Sequence, residues 1–135
     1  YSMHAQLFNE FLTGYDTLRV YKDDRLIYDS TKDGLLPLLE YIDKFTHYHQ
    51  VVIFDRIIGN AAALLSIKAS CREVYSPLGS RIATKTLDKY NITNHISEIV
   101  PYIQKPDGTD MCPMEKLSID TEPEEFYEII RKVIC

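Results

Sequence analysis

The chain has 135 residues, of which 45% are hydrophobic and 26% charged, and its formal net charge is −5. The length suits a single domain spanning residues 1–135, and the composition excludes a collagen-like, low-complexity or largely disordered chain. An acidic chain without a basic stripe is not expected to bind nucleic acid. The longest uncharged stretch, 57–67, is too short to cross a membrane, so no membrane partner is expected.

Three cysteines, Cys71, Cys112 and Cys135, form no CxxC pair. A sparse and odd set of this kind is typical of reduced thiols in a cytoplasmic protein. The chain does not open with a basic segment followed by an apolar run, so no secretory signal is expected. We therefore expect a cytoplasmic location.

The first third of the chain combines helical and strand patterns. Apolar residues at helical spacing within 7–12 predict a first helix that ends at Gly14. Residues 17–21 and 25–28 alternate as strands around a polar turn and predict a β-hairpin. A second helix is expected over 35–45, where apolar residues line one face.

The middle of the chain alternates between strands and helices. The continuously apolar run 51–54 predicts a central strand that is buried on both faces. A helix from about 58 to 69 follows, then a short strand at 73–75. Another helix is expected over 81–89, with Ser80 as its N-cap, and a strand over 96–103.

The last segments complete the predicted fold. Residues 117–120 predict a final strand, and the acidic run 122–125 opens a C-terminal helix. A hairpin followed by strands that alternate with helices predicts an α/β fold. We expect a three-layer α/β/α sandwich with a mixed sheet.

The break between the strand at 51–54 and the next helix is the first candidate site. Ligands of open α/β sheets bind outside the carboxyl ends of strands, and helix N-termini offer N–H groups to anions. Asp55, Arg56, Gly59 and Asn60 lie at this break. A structural role explains them equally well, with Asp55 as a helix cap and Gly59 as a point of close packing.

The second candidate is Cys112, which is followed by Pro113, Glu115 and Lys116. A thiol among charged neighbours could be an activated nucleophile, with Glu115, Asp55 or a histidine close in space as its base. The alternative is a buried and inert cysteine. His47 and His49 lack companion ligands, so neither a metal site nor a cofactor is predicted.

Three segments carry a resemblance to a known family: 34–40 (GLLPLLE), 55–65 (DRIIGNAAALL) and 111–116 (MCPMEK). In this order and spacing the chain resembles the bacterial and archaeal family called domain of unknown function 1893, from about Tyr15 onward. The resemblance implies a cytidine-deaminase-like fold and no established activity. Asn60 departs from the family pattern, which has a basic residue there. If that base holds an anionic ligand in the family, this protein is expected to bind the anion less strongly or to bind a neutral ligand.

The zinc-deaminase signature is missing from this sequence. Such enzymes need His or Cys and a Glu at one helix start, and Pro-Cys-x-x-Cys at the next. Here the two helix starts read Gly-Asn-Ala at 59–61 and Pro-Leu-Gly-Ser-Arg at 77–81. Neither the metal ligands nor the proton-shuttling glutamate are present. We therefore do not expect a zinc-dependent deaminase.

The leading hypothesis is a metal-free pocket for a small polar ligand, such as a nucleotide-like molecule or a phosphorylated metabolite. Gly59 and Asn60 would form its floor, Ser80 and Arg81 would face it, and the segment 112–115 would cover its mouth. Arg81 and the helix N-termini would hold a phosphate or carboxylate. Two alternatives stay open: a transferase or hydrolase that uses Cys112, and a structural or interaction protein that forms a homodimer.

Overall fold

The molecule is built around a six-stranded mixed sheet. The computed structural model describes residues 3–45 and 47–134, so Cys135 lies outside the described residues. The strands are β1 (Leu18–Lys22), β2 (Arg25–Ser30), β3 (Val51–Asp55), β4 (Ile57–Ile58), β5 (Cys71–Ser80) and β6 (Thr93–Val100). The helices are α1 (Met3–Thr13), α2 (Leu36–Lys44), α3 (Asn60–Lys68), α4 (Arg81–Lys89), α5 (Pro113–Ser118) and α6 (Pro123–Ile134). None of the helices in these ranges is long and apolar enough to cross a bilayer.

Strand pairing explains how the sheet is mixed. β1 pairs antiparallel with β2 and with β3. The long strand β5 then pairs parallel with β3, β4 and β6, so that β2 and β6 form the two edges. β3 and β4 lie one after the other along the same side of β5, and the chain leaves this side of the sheet directly into α3.

The β1–β2 hairpin turns at Asp23 and Asp24, whose φ angles are 50° and 66°. Two consecutive left-handed residues are the signature of a two-residue type I′ turn, whose twist matches that of the flanking strands. Aspartate tolerates this conformation better than most residues do. The predicted hairpin is confirmed, with β2 extended to Ser30.

Helices pack on both faces of the sheet, and β3 separates them. Val51 and Ile53 belong to a large core formed with α2, α3, α4 and α6. Val52 and Phe54 point to the other face, where they join a smaller aromatic core with Phe11 of α1. All four side chains of the run 51–54 are at most 2% exposed, which confirms the strand predicted to be buried on both faces.

The helix α3 is the centre of the larger core. All its residues from Asn60 to Ser66 are buried, and it packs against α2, α4, α5 and α6. A helix that is buried all round needs small side chains where its neighbours approach closely. The three consecutive alanines at 61–63 supply them.

Some sequence-based boundaries are wrong. The short strand predicted at 73–75 is the middle of the ten-residue β5. The strand predicted at 96–103 begins and ends three residues earlier. The final strand predicted at 117–120 is absent, because Pro113 starts α5, which runs to Ser118. The two-residue strand β4 was missed because two residues give no readable alternation.

Candidate functional site

A cavity of about 300 Å³ lies at the carboxyl end of β3, beside the start of α3. Four parts of the chain line it: Thr17 just before β1, the β2–α2 loop, the β3–α3 connection with the first turn of α3, and the segment from Ile103 to Glu115. This is where open α/β sheets place their ligands. The candidate residues Asp55, Arg56, Gly59, Cys112 and Glu115 all line this cavity.

Glu115 reaches the N-terminus of α3 and is only 2% exposed. Its Oε1 atom accepts the N–H of Asn60 at 2.5 Å, and its Oε2 atom accepts the N–H of Ile103 at 2.7 Å. A carboxylate in this position satisfies a free N–H of the helix and interacts favourably with the positive end of the helix dipole. The anion that the sequence led us to expect at this helix start is thus a side chain of the protein itself.

Gly59 makes room for that carboxylate. A Cβ atom at this position would lie 3.0 Å from Oε1 of Glu115 and 3.0 Å from Cγ1 of Ile103. Its φ angle of −85° is open to any residue, so the lack of space favours glycine here. The sequence-based interpretation of Gly59 as a point of close packing is confirmed.

The Asn60 side chain belongs to a buried network outside the cavity lining. Its Nδ2 atom donates to the carbonyl of Ser118 at 3.2 Å and to its hydroxyl at 3.1 Å. Its Oδ1 atom accepts the hydroxyl proton of Thr86. Asn60 is 3% exposed and ties α3 to α4 and α5. Asn60 therefore contributes to helix packing at this point.

The Arg56 guanidinium is committed to the end of α1. It donates to the carbonyls of Phe11 at 2.7 Å, Gly14 at 2.9 Å and Asp16 at 2.9 Å, with a longer contact of 3.3 Å to the carbonyl of Leu12. It also lies 4.5 Å from the centre of the Phe11 ring. The last carbonyls of a helix have no hydrogen-bond donors within the helix, and the Arg56 guanidinium supplies donors for them.

Asp55 ends β3 and is half-buried in the cavity lining. Burial raises the pKa of its carboxyl to about 7, although the backbone N–H groups of Arg56 and Ile57 lower it. No side chain in the described ranges forms a hydrogen bond or ion pair with Asp55. A carboxyl that titrates near neutrality can accept a hydrogen bond, donate one or exchange a proton.

Cys112 is half-buried and lines the same cavity as Asp55. Its backbone N–H donates to the carbonyl of Ile103 at 2.8 Å, which holds it at the start of α5. Cys71, the first residue of β5, is buried in the larger core, and desolvation raises the pKa of its thiol to about 12. Of these two thiols, only Cys112 lies where a small molecule could meet it.

Ser80 and Arg81 do not line the cavity. Ser80 is fully buried, and its hydroxyl accepts the N–H of Ala83 at 3.0 Å, which confirms it as the N-cap of α4. Arg81 is exposed. With Asn60, these are the three predicted site residues that the structure leaves outside the cavity.

The β2–α2 loop was not among the predicted parts of the site. Asp33, Gly34 and Leu35 from this loop line the cavity, and Gly34 turns the chain there with a φ angle of 69°. The available signal was the segment 34–40, which carries part of the family resemblance. Among the described residues, no cluster of three or more His, Cys, Asp or Glu side chains could hold a metal ion.

The fold and this cavity define an α/β domain with a candidate binding site at the strand ends. Residues 7–134 match the family described as "Domain of unknown function (DUF1893)", and the chain belongs to this family. It is similar to the crystal structure of a DUF1893 family protein from Thermotoga maritima. The two chains are 26% identical and superpose with a TM-score of 0.88 over 97% of this chain and 89% of the other. No curated protein matches the sequence.

Proposed function

We propose that this DUF1893 protein binds a small polar organic molecule without a phosphate group in the cavity at the carboxyl end of β3. The observation that carries this proposal is a cavity of about 300 Å³ in which the half-buried Asp55 has no side-chain partner among the described residues. Ligand pockets in proteins begin at roughly this volume. The size suits one ring with its substituents, comparable to a nucleobase.

The polar groups of the site argue against a phosphorylated ligand. The start of α3 carries the Glu115 carboxylate, the guanidinium of Arg56 is bonded to α1, and Arg81 lies outside the lining. Of the nucleotide-like ligands expected from the sequence, we therefore retain only the uncharged or basic ring portion. We further propose a cytidine-deaminase-like ancestry, supported by the element order, without zinc chemistry, because the required ligand residues are missing.

A cavity-filling substitution tests the proposal. Ala62 lines the cavity and is 3% exposed, so Ala62→Leu places three extra carbons in or beside it. A library of ring-sized fragments is screened by NMR against the isotope-labelled protein. We expect hits that shift the amides of 59–62 and 103–115 and that no longer bind to Ala62→Leu.

The matched control is Ala5→Leu, the same change at an exposed position of α1. It should keep all the hits, and both variants should retain wild-type amide spectra away from the substitution. Hits that bind Ala62→Leu as well as the wild type would contradict the proposal. So would a library in which no compound shifts the cavity amides.

A second candidate function is a cysteine-dependent transferase or hydrolase, because Cys112 and Asp55 line one cavity. Both oxygens of Glu115 accept backbone N–H groups, so Asp55 is the carboxyl better placed to act as a base. The test is to incubate the protein with p-nitrophenyl acetate and then to analyse its peptides by mass spectrometry. An acetyl group that forms and turns over on Cys112, and is lost in Cys112→Ser, would support this function. Acetylation at the rate of free cysteine would overturn it.

A further inference from the structure

We infer that the cavity selects an organic cation, an amine or amidine carried on a compact apolar body. The inference rests on the proposed function, because it names the ligand class of the same cavity. Three features carry it: the balance of charge in the lining, the occupied start of α3, and the apolar character of the remaining walls.

The lining contains three carboxyl groups, those of Asp33, Asp55 and Glu115, against the single guanidinium of Arg56. That guanidinium is turned to the carbonyls of α1. Glu115 is satisfied by two backbone N–H groups. Asp55 also accepts backbone N–H groups, those of Arg56 and Ile57, but neither Asp33 nor Asp55 has a cationic partner among the described side chains.

Two lysines adjacent in sequence to lining residues are bonded elsewhere. Lys32 pairs with Glu40 at 3.0 Å, and Lys116 pairs with Asp110 at 2.5 Å. Neither belongs to the residues that line the cavity. A cation brought by a ligand would therefore meet carboxyl groups that the chain itself does not neutralise.

The start of α3 does not compensate for this charge. A free helix N-terminus would attract an anion, but here the Glu115 carboxylate occupies that position and bonds the N–H of Asn60. An anionic ligand would approach a site that already holds a negative charge, next to the carboxyl of Asp55. Repulsion between like charges at short range in a partly desolvated site disfavours such a ligand.

The other walls of the cavity are apolar. Six hydrophobic side chains contribute to them: Leu35, Ile57, Ala61, Ala62, Ile103 and Met114. Such a lining favours a ligand with a hydrocarbon or aromatic body over a strongly hydrated inorganic ion. The combination of an apolar enclosure and carboxyl groups without a cationic partner among the described side chains points to an amine or amidine on a ring.

Three probes built on the same cyclohexane ring test the charge preference: cyclohexylamine, cyclohexanol and the slightly larger cyclohexanecarboxylate. They share one ring and carry a positive, a neutral and a negative substituent. Each is titrated into the labelled protein at constant ionic strength, and the amides of 59–62 and 103–115 are followed by NMR. We expect the amine to bind at least about tenfold more tightly than the alcohol, and the carboxylate not to bind.

Two variants and the pH dependence of binding identify the carboxyl group that recognises the amine. Asp55→Asn should bring the affinity for cyclohexylamine down to that for cyclohexanol, while Asp33→Asn at an exposed position should have a smaller effect because solvent screens it. The charged or titratable lining residues are Asp33, Asp55, Arg56, Cys112 and Glu115. The amine stays protonated up to about pH 10. The affinity of the wild-type protein for cyclohexylamine should therefore rise from about pH 6 to about pH 8 as Asp55 ionises. This rise should be absent in Asp55→Asn.

The outcomes separate this inference from the proposed function. If the three probes shift the cavity amides with equal affinity, or if the carboxylate binds most tightly, the cavity is a binding site but the charge preference is wrong. If none of them binds while other fragments shift the cavity amides, the inference also fails and the proposed function stands. If neither these probes nor the fragments shift those amides, both fail.

Discussion

The Oε1 atom of Glu115 accepts the backbone N–H of Asn60 at 2.5 Å across 55 residues of sequence. The second oxygen accepts the N–H of Ile103, so one carboxylate joins the start of α3 to both ends of the segment 103–115. This segment forms one wall of the cavity. The shape of the candidate site therefore depends on the buried carboxylate of Glu115, whose two oxygens hold this wall in place.

The first prediction concerns that carboxylate. Glu115→Gln replaces one acceptor oxygen by an NH₂ group that faces a backbone N–H donor. We expect a loss of about 2–3 kcal/mol in the free energy of unfolding, the range for hydrogen bonds to buried charged groups. Urea denaturation measures it. Glu98→Gln, on exposed β6, is the control and should change stability by less than about 0.5 kcal/mol. Equal effects of the two changes would contradict this role of Glu115.

The second prediction concerns Gly59. The Cβ atom of Gly59→Ala would lie 3.0 Å from an oxygen that cannot retreat without losing its bond to Asn60. We expect destabilisation by about 1–3 kcal/mol, as for other overpacked sites. Gly14→Ala is the control, since its Cβ atom would meet only ordinary contacts of 3.5 Å or more. In a protein that already carries Glu115→Ala, Gly59→Ala should lower the free energy of unfolding by less. A double-mutant cycle that shows the same loss with and without Glu115 would rule out this explanation.

These two residues show what could be predicted from the sequence and what could not. The buried strand at 51–54 and the hairpin turn at Asp23 and Asp24 follow from local patterns, and both are confirmed. Gly59 was interpreted correctly as a point of close approach. The group that approaches it could not be named, because Glu115 lies far along the chain and its neighbour Cys112 suggested catalysis instead.

Arg56 illustrates the same limit of local reasoning. Its position beside Asp55 at the end of a strand suggested a ligand-binding residue. Its guanidinium instead reaches back more than forty residues to the carbonyls of Phe11 and Gly14. A long side chain can turn to either side of the chain, and only the position of α1 decides which side offers acceptors. Asp33 was not predicted to be a site residue, because a residue in an exposed loop belongs to no periodic pattern.

The third prediction uses Arg56→Lys. A lysine keeps the charge but cannot donate in a fork to several carbonyls at once. We expect faster hydrogen exchange in α1 and a loss of about 1–3 kcal/mol in the free energy of unfolding. Arg25→Lys, at an exposed position of the hairpin, should change neither. Wild-type exchange in α1 with a weaker affinity for cyclohexylamine or for anions would instead place Arg56 in the ligand site.

The fourth prediction is the pH dependence of stability that Asp55 imposes. Its pKa is about 7 in the folded protein and about 3.9 in an unfolded chain. Between these values the folded state binds the proton more tightly, so the contribution of Asp55 to stability falls as the pH rises and is constant above about 7. Asp55→Asn should therefore gain stability relative to wild type over this interval, by at most about 4 kcal/mol in total, since each unit of pKa difference is worth about 1.4 kcal/mol.

Thermal and urea unfolding at a series of pH values measures this difference. The control is Asp107→Asn, because hydrogen bonds from Thr109 lower the pKa of the exposed Asp107, which therefore titrates below the interval. A stability difference between Asp55→Asn and wild type that does not vary with pH would show that the Asp55 carboxyl is hydrated in the folded protein.

The fifth prediction compares the thiols. Cys112 is half-buried at the cavity, whereas Cys71 is 5% exposed and has a pKa of about 12 because of burial. Since the thiolate is the reactive form, iodoacetamide should modify Cys112 at least about a hundredfold faster than Cys71 in the folded protein near pH 8. Peptide-resolved mass spectrometry measures both rates in one sample, and the ratio should collapse in urea.

The pH profile of Cys112 then decides between the two proposed functions. A midpoint well below about 8.5 would mean that the thiolate is stabilised in the cavity, which favours the cysteine-dependent enzyme. An ordinary midpoint, together with protection of Cys112 by cyclohexylamine, would favour the binding protein, because the ligand would then cover a thiol that does no chemistry. Modification of Cys112 and Cys71 at equal rates would show that the segment 103–115 does not form the cavity wall described above.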